Sequence, residues 1–188
     1  MRKIIVGAMV SMDGVMQAPG GPTEDPTKGF KFGGWVMPYY DEGADYGGIA
    51  KAFNEVKKYA VSRSGEVDTS WQRSVLLRDI ADVKRLKQED GPNLLTQGST
   101  ELVHALLASD LVDQLSIFTA PVVLGSGKKL FVDGSAPHAF KLTSSRRSST
   151  GVLIGHYERG GDIKIGDAEL DSPSELEIAR RERMKREG

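Results

Sequence analysis

The stretch 94-LLTQGSTELVHALLASDLVDQLSIFTAPVVLGSGKKLF-131 decides the fold. It reads as a short apolar strand at 94–96, a small-residue turn at Gln97-Gly98-Ser99, a helix over 100–108 and a second apolar strand at 115–120. A Gly-Ser-Gly turn with Lys128 and Lys129 follows, and residues 128–132 continue as a further strand. Strands alternating with helices in this way predict an α/β domain with parallel pairing.

The rest of the chain extends that pattern in both directions. Residues 3–10, KIIVGAMV, are nearly continuous in apolar character, as a strand covered on both faces requires. They place a central sheet between helix layers. Residues 50–58 predict a short helix leading into the strand YAVS at 59–62. Asp79 caps a later helix in which Ile80, Val83 and Leu86 recur at helical spacing, and Gly91-Pro92 ends it. Residues 139–143 and 151–158 read as late strands. The expected architecture is therefore three-layer α/β/α, with a mixed, mostly parallel sheet that finishes in antiparallel strands.

Two segments depart from this regularity. Residues 17–48 hold 8 of the 22 glycines and 4 of the 8 prolines, interleaved with Phe30, Phe32, Trp35, Tyr39 and Tyr40. A loop of that length inside a compact domain is usually functional. The other segment is the tail: residues 161–188 are expected to be a charged appendage to a domain at 1–160, helical from 174, with acids offsetting its arginines.

Composition narrows the function. Lys and Arg total 25 against 26 Asp and Glu, a formal net charge of -1, so no global field favours nucleic acid or an anionic membrane. Charged ligands must be recognised locally. Cysteine is absent, which excludes disulfides, thiolate metal sites and cysteine nucleophiles and fits a cytoplasmic location. His104, His138 and His156 are scattered without metal-ligand spacing, and no metal is expected. The N-terminal apolar run is too short for a membrane span.

Local motifs point towards a phosphate-bearing ligand. The Gln97-Gly98-Ser99-Thr100 turn opens a helix, where unpaired N–H groups and the helix dipole favour an anion, although an ordinary strand-to-helix turn has the same composition. Ser62-Arg63 follows a strand, where a guanidinium can grip a ribose 2′-phosphate or stand solvated. Asp13-Gly14 ends the first strand, and it either orients a ligand or shapes a turn. Neither a dinucleotide fingerprint nor a P-loop is present, since GSGKKL at 125–130 lacks the spacing of both.

Taken together, VGAMVSMDGVM, KKYAVSR, the 94–131 stretch and STGVLIGHYE resemble the reductase domain at the C-terminus of bifunctional riboflavin-biosynthesis deaminase-reductases. That family has the dihydrofolate reductase fold. The resemblance covers residues 1–158 with one large gap. It implies NADPH-dependent hydride transfer to a pterin-like or 5-amino-6-ribosylaminouracil-like heterocycle, in a homodimer. By position it places Gly98, Ser99, Thr100 and Glu101 at the cofactor pyrophosphate and Ser62 and Arg63 at the 2′-phosphate. Val10, Asp13 and Gly14 would line the nicotinamide side, and Trp35, Tyr39 and Asp41 the substrate pocket, with Asp13 and Asp41 as candidate proton donors. The gap is the departure: a strand and helix with a Gly-Arg-x-Thr-Tyr-Glu-like motif, expected before KKYAVSR, have no counterpart here. Either the flanking strands close over it, or another chain fills it, or the protein is a non-catalytic scaffold relative.

Overall fold

The structure is a computed structural model that describes residues 1–40, 46–166, 168 and 172–187. Its core is a five-stranded sheet in the order β4-β1-β5-β7-β6, built from β1 (Ile4–Val10), β4 (Leu94–Thr96), β5 (Gln114–Thr119), β6 (Phe140–Arg147) and β7 (Leu153–Arg159). β1 runs parallel to both β4 and β5, with Ile5 opposite Leu95 on one side and Gln114 on the other. β7 is antiparallel to β5 and to β6. This is the mixed, mostly parallel sheet with antiparallel closing strands that the sequence predicts.

The two helices beside the sheet follow from their sequences. In α2 (Ile80–Gln88), the Asp79 carboxylate accepts the Asp82 N–H at 3.0 Å, and Val83 and Leu86 turn inward. In α3 (Thr100–Ala108), Ser99 caps the start by accepting the Leu102 N–H at 3.4 Å, and Val103, Leu106 and Leu107 are buried. Asp110, at φ 57, ends α3: its N–H reaches the Leu107 carbonyl and the Leu111 N–H reaches Leu106, the paired bonds of a Schellman cap. Both helices cover one sheet face, packing on Ile4, Val6, Ala8 and Val10 of β1. The other face is covered near the strand ends by the aromatic loop, where Trp35, Val36 and Ala120 centre a second apolar cluster that takes in Met9.

Three elements depart from the sequence expectation. A second, two-stranded parallel ribbon joins β2 (Lys58–Val61) to β3 (Ser74–Leu77), apart from the main sheet. β3 is only Ser-Val-Leu-Leu, too short for alternation to reveal it. Residues 128–132 do not form a strand: Lys129 makes only an isolated bridge to Val15. The backbone there is spent on the loop instead, the Met16 N–H donating to Lys128 O and the Leu130 N–H to Gly14 O, both at 2.9 Å. The helix expected at 50–58 lies earlier, as α1 (Tyr46–Glu55), because Lys58 begins β2; the Lys58 ammonium turns back to the Phe53 and Val56 carbonyls. α4 (Glu175–Glu187) lies in the tail and has no buried residue; Arg180 and Arg181 both pair with Glu177.

Candidate functional site

The ribbon and the main sheet do not meet. Between β4 and β2 lies a cleft of about 1090 Å3, with Leu94, Leu95 and Thr96 on one wall and Lys58, Tyr59 and Val61 on the other. Val83, Leu86 and Leu106 contribute to its apolar lining, and Phe53 and Val56 of the α1 segment border it. The gap that the sequence lacks a strand for is thus open in the fold.

Gln97 and Gly98 line the same cleft beyond the carboxyl end of β4. Gly98 has φ +155, and the position a Cβ would take has no atom within 4 Å, so a ligand can approach its backbone. The N–H groups of Ser99, Thr100 and Glu101, in the first turn of α3, have no hydrogen-bond acceptor among the described residues. These are the ingredients of an anion site at a helix start. Glu101 is exposed and acidic at that point, so its expected contact with a phosphate could come through its backbone only.

Ser62 and Arg63 follow β2 directly. The Ser62 N–H donates to Leu77 O at 3.0 Å and its hydroxyl lies 3.2 Å from that of Ser64. Arg63 is exposed and has no hydrogen-bond or ion-pair partner among the described residues. Neither residue lines the cleft, but their neighbour Val61 does. Exposed Arg63 can take up an anion without giving up an existing bond.

Asp13 is bound on several sides. It accepts the Ser11 hydroxyl at 2.6 Å, the Leu124 N–H at 3.1 Å and the Gly125 N–H at 2.9 Å. The Ser11 hydroxyl, followed by those backbone donors, lowers its pKa to about 2. At neutral pH it is ionised and holds the Gly-Ser-Gly turn to the end of β1; it has no proton to give. Gly14, at φ +83, completes the turn by donating to Ser11 O at 2.9 Å. Val10 turns its side chain into the main core and receives the Ala120 N–H on its carbonyl.

The aromatic residues support the loop. Trp35 is 8% exposed and donates its indole N–H to Gln17 O at 2.8 Å, and the Tyr39 carbonyl accepts the Thr150 hydroxyl. Tyr39 stays half-buried at the edge of the aromatic cluster. Asp41 lies outside the described residues.

Sequence reasoning missed a clamp around the same turn. Buried Gln17 accepts the Lys128 N–H at 3.0 Å and donates to the Asp25 and Thr27 carbonyls, while the Lys128 ammonium pairs with Asp25 at 2.7 Å. Hydrogen bonds from Lys128 and then Thr27 hold Asp25 at a pKa of about 2. Because the folded-state pKa values of Asp13 and Asp25 are depressed, their stabilisation is fully present above the ordinary carboxylate range and is lost as pH falls through about 2. Asp13→Asn is expected to cost about 1 kcal/mol at pH 7, allowing for solvent screening, and to flatten the loss of stability between pH 4 and 2. Urea midpoints across that pH range check it; an unchanged acid limb would contradict the assignment.

The three histidines are all in hydrogen bonds: His104 with the Lys129 and Leu130 carbonyls, His138 with Leu107 O, and His156 with the Ser116 hydroxyl. Among the described residues no group of three or more His, Cys, Asp or Glu could hold a metal ion, and no helix is long and apolar enough to cross a membrane.

Comparison with known proteins gives a consistent kinship. Residues 49–154 match the family model described as the RibD C-terminal domain. The chain is 27% identical over 184 residues to the uncharacterized protein YyaP of Bacillus subtilis (strain 168), covering 85% of this chain and 96% of that one. Among solved structures, a pyrimidine reductase-like protein of Corynebacterium diphtheriae is similar at a TM-score of 0.52 and 15% identity, covering 86% of this chain and 93% of that one. The Thermotoga maritima diaminohydroxyphosphoribosylaminopyrimidine deaminase/5-amino-6-(5-phosphoribosylamino)uracil reductase is similar at 0.50 and 14% identity, over 84% of this chain and 56% of that longer one. At such identities the likeness to solved structures is one of fold.

Proposed function

The chain belongs to the RibD C-terminal domain family, and on that premise we propose that it is an NADPH-dependent oxidoreductase acting on a pterin-like or 5-amino-6-ribosylaminouracil-like heterocycle. The observation that carries the reading is the Gly98 turn: an open backbone, unpaired helix-start N–H groups and an unpartnered Arg63 near one cleft. A bound nicotinamide supplies the hydride. The chain's own part is to bind and orient. Gly98, Ser99, Thr100 and the Glu101 backbone hold the pyrophosphate, and Ser62 with Arg63 selects the 2′-phosphate. Val10, Gly14 and Asp13 shape the end of β1 against which the ring would lie, Asp13 through the turn it anchors. Trp35 sets the aromatic loop, and Tyr39 and Asp41 border the substrate, with Asp41 the remaining candidate to deliver a proton. The catalytic unit is residues 1–160, with 161–188 appended, working as a homodimer in the cytoplasm.

The test is a fluorescence titration of the folded protein with NADPH and NADH, repeated on Arg63→Ala. NADPH is expected to bind more tightly than NADH, and the variant to lose about 10- to 100-fold in NADPH affinity with NADH unchanged. Failure to bind either nucleotide would favour the scaffold reading, in which the open gap between β4 and β2 has cost the cofactor site.

A further inference from the structure

The main sheet ends where one more strand would fit. β4 pairs with β1 on one side only, and Leu95 on it is 61% exposed. Across the cleft stands β2, itself half of a two-stranded parallel ribbon. With strands ~4.8 Å apart, layers ~10 Å apart and a rise of ~3.3 Å, one residue of an enclosed strand occupies ~160 Å3, so a cleft of about 1090 Å3 has room for roughly seven residues. An unpaired strand edge is a template for adding another strand.

The same chain carries a strand pattern that its fold does not use. Residues 162–166, Asp-Ile-Lys-Ile-Gly, alternate apolar and charged side chains yet adopt no strand. Ile163 is 52% and Ile165 93% exposed. The charges are complementary as well: Arg2, Lys57 and Lys58 line the cleft against Glu55, while residues 162–169 contain Asp162, Asp167 and Glu169 against Lys164.

This segment cannot enter the cleft of its own chain. The Gly160 N–H donates to Ala139 O at 2.9 Å, which fixes the chain on the β6 side of the sheet. A strand added outside β4 lies four strand spacings from β7, or ~19 Å. Extended chain from Gly160 reaches ~10 Å by Ile163 and ~17 Å by Ile165. We propose that residues 162–166 of a second copy add as a strand between β4 and β2, and that reciprocal exchange closes a twofold dimer. The isoleucines face Val83, Leu86 and Leu106, and Lys164 on the opposite face meets Glu55. The proposal does not depend on nucleotide binding.

The native chain has no cysteine, so introduced thiols are the only ones present. Leu95 lies on the face opposite the helices, as Lys164 of the added strand would. Leu95→Cys and Lys164→Cys variants, mixed and oxidised, are therefore expected to form a disulfide dimer at least ~10-fold faster than either alone, because the swapped strand raises the local thiol concentration. In sedimentation velocity, Ile163→Asp/Ile165→Asp should weaken dimerisation by at least ~100-fold while near-ultraviolet circular dichroism stays native. A wild-type protein that is monomeric at every concentration would overturn the proposal. So would a dimer indifferent to both aspartates, or a mixture that crosslinks no faster than the single variants. Arg63→Ala should leave the dimer intact, which separates this result from any failure to bind nucleotide.

Discussion

Asp113→Ala is expected to destabilise the protein by about 3–5 kcal/mol, the range for removing one partner of a buried ion pair. Lys87, 6% exposed, directs its ammonium to the Asp113 carboxylate and otherwise finds only Leu111 O at 3.3 Å. The same carboxylate oxygen accepts the Ile4 N–H at 2.7 Å, so one side chain joins the starts of β1 and β5 to the end of α2. Alanine would strand a buried charge and a backbone donor together. The sharper measurement is the same substitution in a Lys87→Met background. There only the Ile4 hydrogen bond is lost, and the cost should fall to about 1–2 kcal/mol. Urea midpoints of the four proteins at pH 7 give the coupling; additivity of the two substitutions would show that the pair is not what holds these elements.

Gly127→Ala comes next, at about 3 kcal/mol or more. The backbone there has φ +129, and an added Cβ would lie 2.5 Å from Val15 Cγ1 and 2.9 Å from Phe30 Cε2. Val15 is fully buried, so the wall cannot move aside without opening the loop. Gly125→Ala is the control. It shares a positive φ, +74, but has no atom within 4 Å of its Cβ position, so only backbone strain of about 1 kcal/mol should appear. Thermal melts of both variants separate the clash from the strain, and equal losses would contradict the close approach.

What could be read without coordinates was local. Asp79 as a cap, Val83 and Leu86 as an inward stripe, the apolar run of β1 and the helix after Ser99 all declare themselves within a few residues, and all stand in the structure. Failures came where a partner lies far along the chain. Asp13 finds its backbone donors 111 and 112 residues away, and nothing in its own neighbourhood separates an anchored turn from a free carboxylate. Lys128 and Gln17 are likewise ordinary polar residues until the loop brings them together. Trp35 carries the signature of a ligand-stacking ring in a glycine-rich loop, yet its indole is spent on Gln17. The absent strand was legible only through resemblance. That its place stays open, with the ribbon standing apart, is a question of three-dimensional closure that no residue pattern states.

The central position of β1 also bears on how the protein is made. Its first strand partners are met 90 residues later at β4, where Leu94 pairs with Ile4, and 109 residues later at β5, where Gln114 pairs with Ile5. During synthesis at roughly 5–20 residues per second, the segment Ile-Ile-Val-Gly-Ala-Met-Val therefore waits on the order of 5–20 s outside the ribosome before a neighbour exists for it. For that interval it is an apolar strand with both edges bare, and the nascent chain depends on chaperones or on dilution to stay unassociated.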